Sequence, residues 1–180
     1  CAGDAALLRG AYKKTDDLAL KLRLLSAIGV SGDMDYAGRV LDIAEERPET
    51  AEDEESGDDA AAREKQAMLA ANVSPRLLLK LVAAPDPDTR ARAASLWRRL
   101  AQAGMKDDGF SELVVLLSSA THTGRPEAAE LLAGSNDRAY AYSLGILAKM
   151  ERDPAVKLAA IKGVCRMKLD GCGAYIIAAA

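Results

Sequence analysis

Asp86-Pro87-Asp88-Thr89-Arg90-Ala91-Arg92-Ala93-Ala94-Ser95-Leu96-Trp97-Arg98-Arg99-Leu100 is the stretch that decides how this chain folds. A leading aspartate can accept hydrogen bonds from the free N–H groups of a first helical turn. A proline just behind it sits where a helix does not need its donor. A leading aspartate also stands at Asp17 and at Asp153, the latter again followed by a proline, Pro154. Lys21, Arg90 and Lys157 stand four residues after the three aspartates. Leu25, Ala94 and Ile161 then align at one apolar position, and Ile28, Trp97 and Val164 at the next. The offsets are 69 and 67 residues, close to twice the roughly 34-residue period of a two-helix repeat.

Helical spacing extends outward from these three segments. Leu18, Leu22, Leu25 and Ile28 predict a helix capped by Asp16 or Asp17 and broken at Ser31-Gly32-Asp33. A second helix is expected over 35–46, with Ala37, Val40, Leu41 and Ala44 on one face, making an αα-hairpin. Residues 59–72 form an Ala-rich helix, and Ser74-Pro75 starts another that carries Leu77, Leu78, Leu81 and Val82. Gly104 ends the Trp97 helix, and Asp108 or Ser111 opens one with Leu113, Leu116 and Leu117. After a looser segment at 121–126 come a short helix over 127–133 and one capped by Asn136 or Asp137 that reaches Met150. Gly171 breaks the chain again, and 173–180 reads as a last helix. The fold class expected is all-α.

Asp86-Pro87-Asp88-Thr89-Arg90 and Asp153-Pro154-Ala155-Val156-Lys157, each running into an Ala/Leu-rich helix, resemble HEAT repeats. The resemblance implies an α-solenoid of about five stacked antiparallel helix pairs over 16–180, behind a tether and lead-in segment at 1–15. In such a stack each repeat buries its apolar face only against its neighbours and leaves an extended groove. The resemblance specifies architecture and brings no catalytic residues. A tetratricopeptide array is the second choice. Gly32-Asp33-Met34-Asp35-Tyr36-Ala37 with Leu41, Ala44 and Pro48 is similar to the second half of one such unit, but later segments do not repeat it.

Composition agrees with helices. Of 180 residues 49% are hydrophobic but only 4% aromatic, and Ala and Leu, both strong helix formers, dominate. No apolar run reaches the roughly 18 residues a membrane-spanning helix needs. The net charge of −3 hides an asymmetry. Nine acidic residues against Arg47 give the stretch 45–59 a net −8, so the remainder is +5. That stretch reads as a solvated acidic loop, and it lacks the aspartate spacing of a calcium loop.

Cys1 opens the sequence. A leading cysteine is what remains at the start of a bacterial lipoprotein, where its thiol carries a diacylglyceryl group. Acyl chains contribute about 0.8 kcal/mol per buried methylene, enough for durable anchoring with two or three. Cys165 and Cys172 are seven apart. They are about 10 Å apart within one helix, too far to bond. They come together across a turn at Asp170-Gly171, or else pack separately as small residues. With a single His122 and no paired cysteines there is no zinc pattern, and no cofactor is expected.

His122 lies in a looser segment without a nucleophile elbow, and no Gly-rich phosphate loop is present. The reading is therefore not an enzyme. Arg90, Arg92, Arg98 and Arg99 share one helix and are the candidate partner-binding cations, with Tyr140 and Tyr142 as candidate interface anchors. An acidic chain without interleaved aromatics argues against nucleic acid. Together these features predict a lipid-anchored protein-binding scaffold at a bacterial envelope membrane, whose partners are other envelope proteins. The alternative is a structural subunit bound permanently in a large envelope complex.

Overall fold

The computed structural model describes residues 2–46, 55–105, 109–119, 123–135 and 137–168, the side chains of 2–3 and 55–59 excepted. Among these residues the chain is all-α, without strands. No described helix is long and apolar enough to cross a membrane. Contacts divide the chain into two units, residues 1–81 with 95–108 and residues 82–94 with 109–180.

The first unit holds α1 (Ala2–Lys14), α2 (Leu18–Val30), α3 (Met34–Glu45), α4 (Glu55–Asn72) and nearly all of α5 (Pro75–Val82). Helix α6 (Pro87–Gln102) lends this unit its second half and the other unit its first half. Helix α2 is central and packs on α1, α3 and α4. Its buried Leu22, Leu25 and Ile28 share the core with Leu41, Leu69, Leu77 and Trp97. Ser26, the one buried polar side chain among the described residues, is satisfied at both its functions. Its hydroxyl donates to the Asn72 carbonyl (3.4 Å) and accepts from the Ser74 N–H (3.1 Å), which ties α2 to the turn between α4 and α5. Gly32 and Gly104 end α2 and α6 at positive φ, 112° and 88°. The N–H groups of Asp33 and Met105 reach back to the carbonyls of Ile28 and Leu100, and those of Gly32 and Gly104 to Gly29 and Ala101. This is the Schellman closure that a residue without Cβ adopts most easily.

The second unit holds α7 (Phe110–Ser118), α8 (Arg125–Gly134), a 3₁₀ turn (Arg138–Tyr140), α9 (Ala141–Met150) and α10 (Pro154–Arg166). Helix α10 packs on α8 and α9, and α7 packs on α8. The crossing is close because Gly163 faces α8. A Cβ there would stand 2.7 Å from Ala133 Cβ and 3.0 Å from Leu144 Cδ1. Overpacking of this kind costs about 1–3 kcal/mol. Gly163→Ala is therefore expected to lower the midpoint of urea unfolding followed by circular dichroism. An unchanged midpoint would mean that α8 and α10 part without loss.

The three aligned aspartates do the same work. Asp17 accepts from the N–H groups of Ala19 (2.9 Å) and Leu20 (3.2 Å), and Asp153 from those of Ala155 (2.9 Å) and Val156 (3.4 Å). Asp86 accepts from the N–H (2.7 Å) and hydroxyl (2.6 Å) of Thr89, and these bonds hold its carboxyl below the usual range. The six apolar positions aligned behind them are all buried.

Some boundaries differ from expectation. The lead-in segment is helical from Ala2. Helix α4 begins at Glu55, inside the stretch read as an acidic loop, because acidic residues in a first turn face the positive end of the helix dipole. Residues 47–54 of that stretch lie outside the described residues. Helix α7 is preceded by Gly109 without a side-chain cap, and Ser111 is already helical. Asp137 caps the 3₁₀ turn rather than α9 itself. Asp108, Asn136 and residues 169–180 lie outside the described residues.

Candidate functional site

The four candidate arginines on α6 have unequal surroundings. Arg90 is half-buried, with Nε donating to Glu127 (2.9 Å) and Nη1 to the carbonyls of Ala84 (3.1 Å) and Pro85 (2.8 Å). Its guanidinium braces the turn before α6 against α8. Arg99 is half-buried and donates to the Ala44 carbonyl (3.4 Å) in the last turn of α3, where a cation meets the negative end of the dipole. Arg92 is half-buried and Arg98 exposed, each with an interaction of its own. Arg90 and Arg99 thus fasten their own units. Cys165 is disulfide-bonded, and the bond's other end lies outside the described residues, as do Cys1, His122 and Cys172.

The two candidate tyrosines diverge as well. Tyr140 packs its ring on Phe110 at a centroid distance of 6.1 Å, joining the 3₁₀ turn to α7. Tyr142 is 80% exposed. Ile146 (43% exposed) and Met150 (78%) follow it at intervals of four residues, so the three form one stripe along α9. The opposite side of α9 carries Leu144 and Ala148, both buried. Helix α9 is therefore apolar on two sides, one of them uncovered. Beside the stripe runs a groove of about 200 Å³. Val114, Leu117 and Ser118 of α7 line one wall, and Ser143, Ile146 and Leu147 of α9 the other.

An ion pair fixes both walls. Arg125, at the start of α8, donates through Nε (3.3 Å) and Nη2 (3.2 Å) to the carbonyl of Leu117 on α7. Its Nη2 also reaches Glu151, the residue that ends α9. Glu151 in turn accepts from the backbone N–H groups of Arg152 (2.8 Å) and Asp153 (3.0 Å). The two side chains are only 11% and 10% exposed. Burial pushes the Glu151 carboxyl up, but the hydrogen bonds from Arg125 and the two backbone donors outweigh it and hold it below the usual range. Gly124, before Arg125, leaves no room for a side chain: a Cβ would stand 1.9 Å from the Val82 carbonyl.

Sequence reading singled out Tyr142 but passed over Ile146, Met150, Arg125 and Glu151. The spacing of Tyr142, Ile146 and Met150 was the available signal for the first two. No family model, characterised protein or solved structure matches this chain.

Proposed function

We propose that this chain is a protein-binding scaffold, a HEAT-like α-solenoid, whose groove between α7 and α9 receives the apolar face of an amphipathic helix from a partner protein. The observation that carries the reading is the uncovered stripe of Tyr142, Ile146 and Met150 beside an apolar groove. An uncovered apolar helix side next to a slot is the arrangement that helix-in-groove recognition uses. The stripe spans nine residues and about 12 Å, which suits two turns of a partner helix. Exposed Arg138 and Arg152 stand before and after α9, so the fitting helix has acidic flanks.

The test uses a labelled amphipathic peptide with leucines at i, i+3, i+4 and i+7 and glutamates at its ends. The intact protein should bind it, and the double variant Ile146→Glu, Met150→Glu should bind at least tenfold more weakly while keeping its circular dichroism. Equal binding by the variant would sink the groove.

Attachment to a bacterial envelope membrane through acyl chains on Cys1 is the other half of the proposal. Intact mass of the protein taken from its own cells should exceed the chain mass by two or three acyl chains. A free thiol at Cys1 would remove the tether and leave the groove untouched.

A further inference from the structure

The first unit carries a second concavity, independent of the groove. An open cleft of about 700 Å³ is lined by Arg9 of α1, Ser31 and Asp33 of the turn between α2 and α3, and Asp35, Tyr36 and Arg39 of α3. Its wall is a stack of arginines and tyrosines. The Arg9 guanidinium lies 5.4 Å from the Tyr36 ring centroid. That of Arg39 lies 4.5 Å from Tyr36 and 5.8 Å from Tyr12. The two rings meet edge to face at 5.7 Å.

The charges in this cleft are not equally answered. Arg9 is paired with Asp33, whose carboxylate also caps α3 by accepting from the Tyr36 N–H (3.3 Å). Asp35 and Arg39 stand four apart on α3, a spacing that suits an ion pair. Among the described residues neither makes one, nor any side-chain hydrogen bond. Arg39 lies over tyrosine rings instead. A guanidinium seated over aromatic rings can still present N–H groups to an acceptor beside the stack, and the rings restrict its rotamers. A carboxylate is the acceptor that matches such a fork with two parallel bonds.

We propose that this cleft binds the side-chain carboxylate of an acidic peptide through the edge of Arg39. Asp33 and Asp35 in the lining oppose any anion and offset part of the pull of Arg39, so removing the Asp35 charge strengthens binding.

The test is a titration of the intact protein with N-acetylglutamate amide, followed by the NMR signals of the Arg39 Nε–H and the Tyr36 amide. One charge-assisted hydrogen-bonded contact predicts saturation at a Kd on the order of 10 mM. Arg39→Lys keeps the charge but loses the planar fork, and its affinity should fall at least fivefold. Asp35→Asn should bind two- to threefold more tightly. Absence of a saturable shift, or equal affinity in Arg39→Lys, would overturn the site. No gain in Asp35→Asn would overturn the opposing role given to that carboxylate. Arg39 is exposed, so the variants should fold, and none of these outcomes bears on the groove of the second unit.

Discussion

Replacing Arg125 by methionine is expected to destabilise the second unit by about 1–3 kcal/mol, the loss that follows when a half-buried charge and a carbonyl lose their hydrogen-bond partner. Methionine has nearly the length of the arginine stem, so the loss reports the guanidinium rather than a cavity. Four hydrogen bonds go at once: two to Glu151 and two to the Leu117 carbonyl. Glu151 is left with only backbone donors. The pH dependence separates this account from a simple packing defect. In the unmodified protein the Glu151 carboxyl is held below its ordinary value of 4.5. Its contribution is therefore present above about pH 4.5 and is lost as pH falls through the lowered folded value. In Arg125→Met the same group is a buried carboxylate without a countercharge, and protonation relieves it. The stability gap between the two proteins should thus be widest at neutral pH and narrow below about pH 4.5. Urea unfolding at pH 7 and pH 4 measures both ends, and a gap independent of pH would refute the role given to the pair. Peptide binding in the groove should weaken as well, because Arg125 holds Leu117 and the end of α9 in place.

What could be read in the sequence divides by the range of the physics involved. Asp17, Asp86 and Asp153 were legible because a cap acts on N–H groups two or three residues away. Ile28, Trp97 and Val164 were legible because helical period alone puts them on one face. Arg90 was read as a surface cation because its partner Glu127 lies 37 residues on, and nothing local announces the pairing. Arg125 and Glu151 went unnoticed for the same reason, being 26 residues apart. Ile146 and Met150 were passed over for a different one. A helix apolar on two sides has no clear polar face, so its pattern does not say which side is left uncovered. Cys1, Cys172 and His122 lie outside the described residues.

Trp97→Ala is expected to be the most damaging truncation in the first unit, at about 3–5 kcal/mol. Trp97 is fully buried, and it occupies the position that Ile28 and Val164 hold in the two aligned helices. The surroundings of that position must therefore differ in size from one helix to the next, and around α6 they are shaped for an indole. Alanine leaves a space that close-packed neighbours fill only in part, so the loss combines transfer and cavity terms. Val164→Ala removes far less volume and should be much milder, although Val164 is equally buried. Trp97 is the only tryptophan of the chain, so unfolding has to be followed by far-ultraviolet circular dichroism rather than by fluorescence. If the alanine variant fails to fold, Trp97→Leu keeps part of the volume and should remain folded with an intermediate loss. Equal losses for Trp97→Ala and Val164→Ala would contradict the size difference. A loss below about 1 kcal/mol in Trp97→Ala would mean that the indole does not fill the core, and the register shared by the three aspartate-led helices would lose its physical basis.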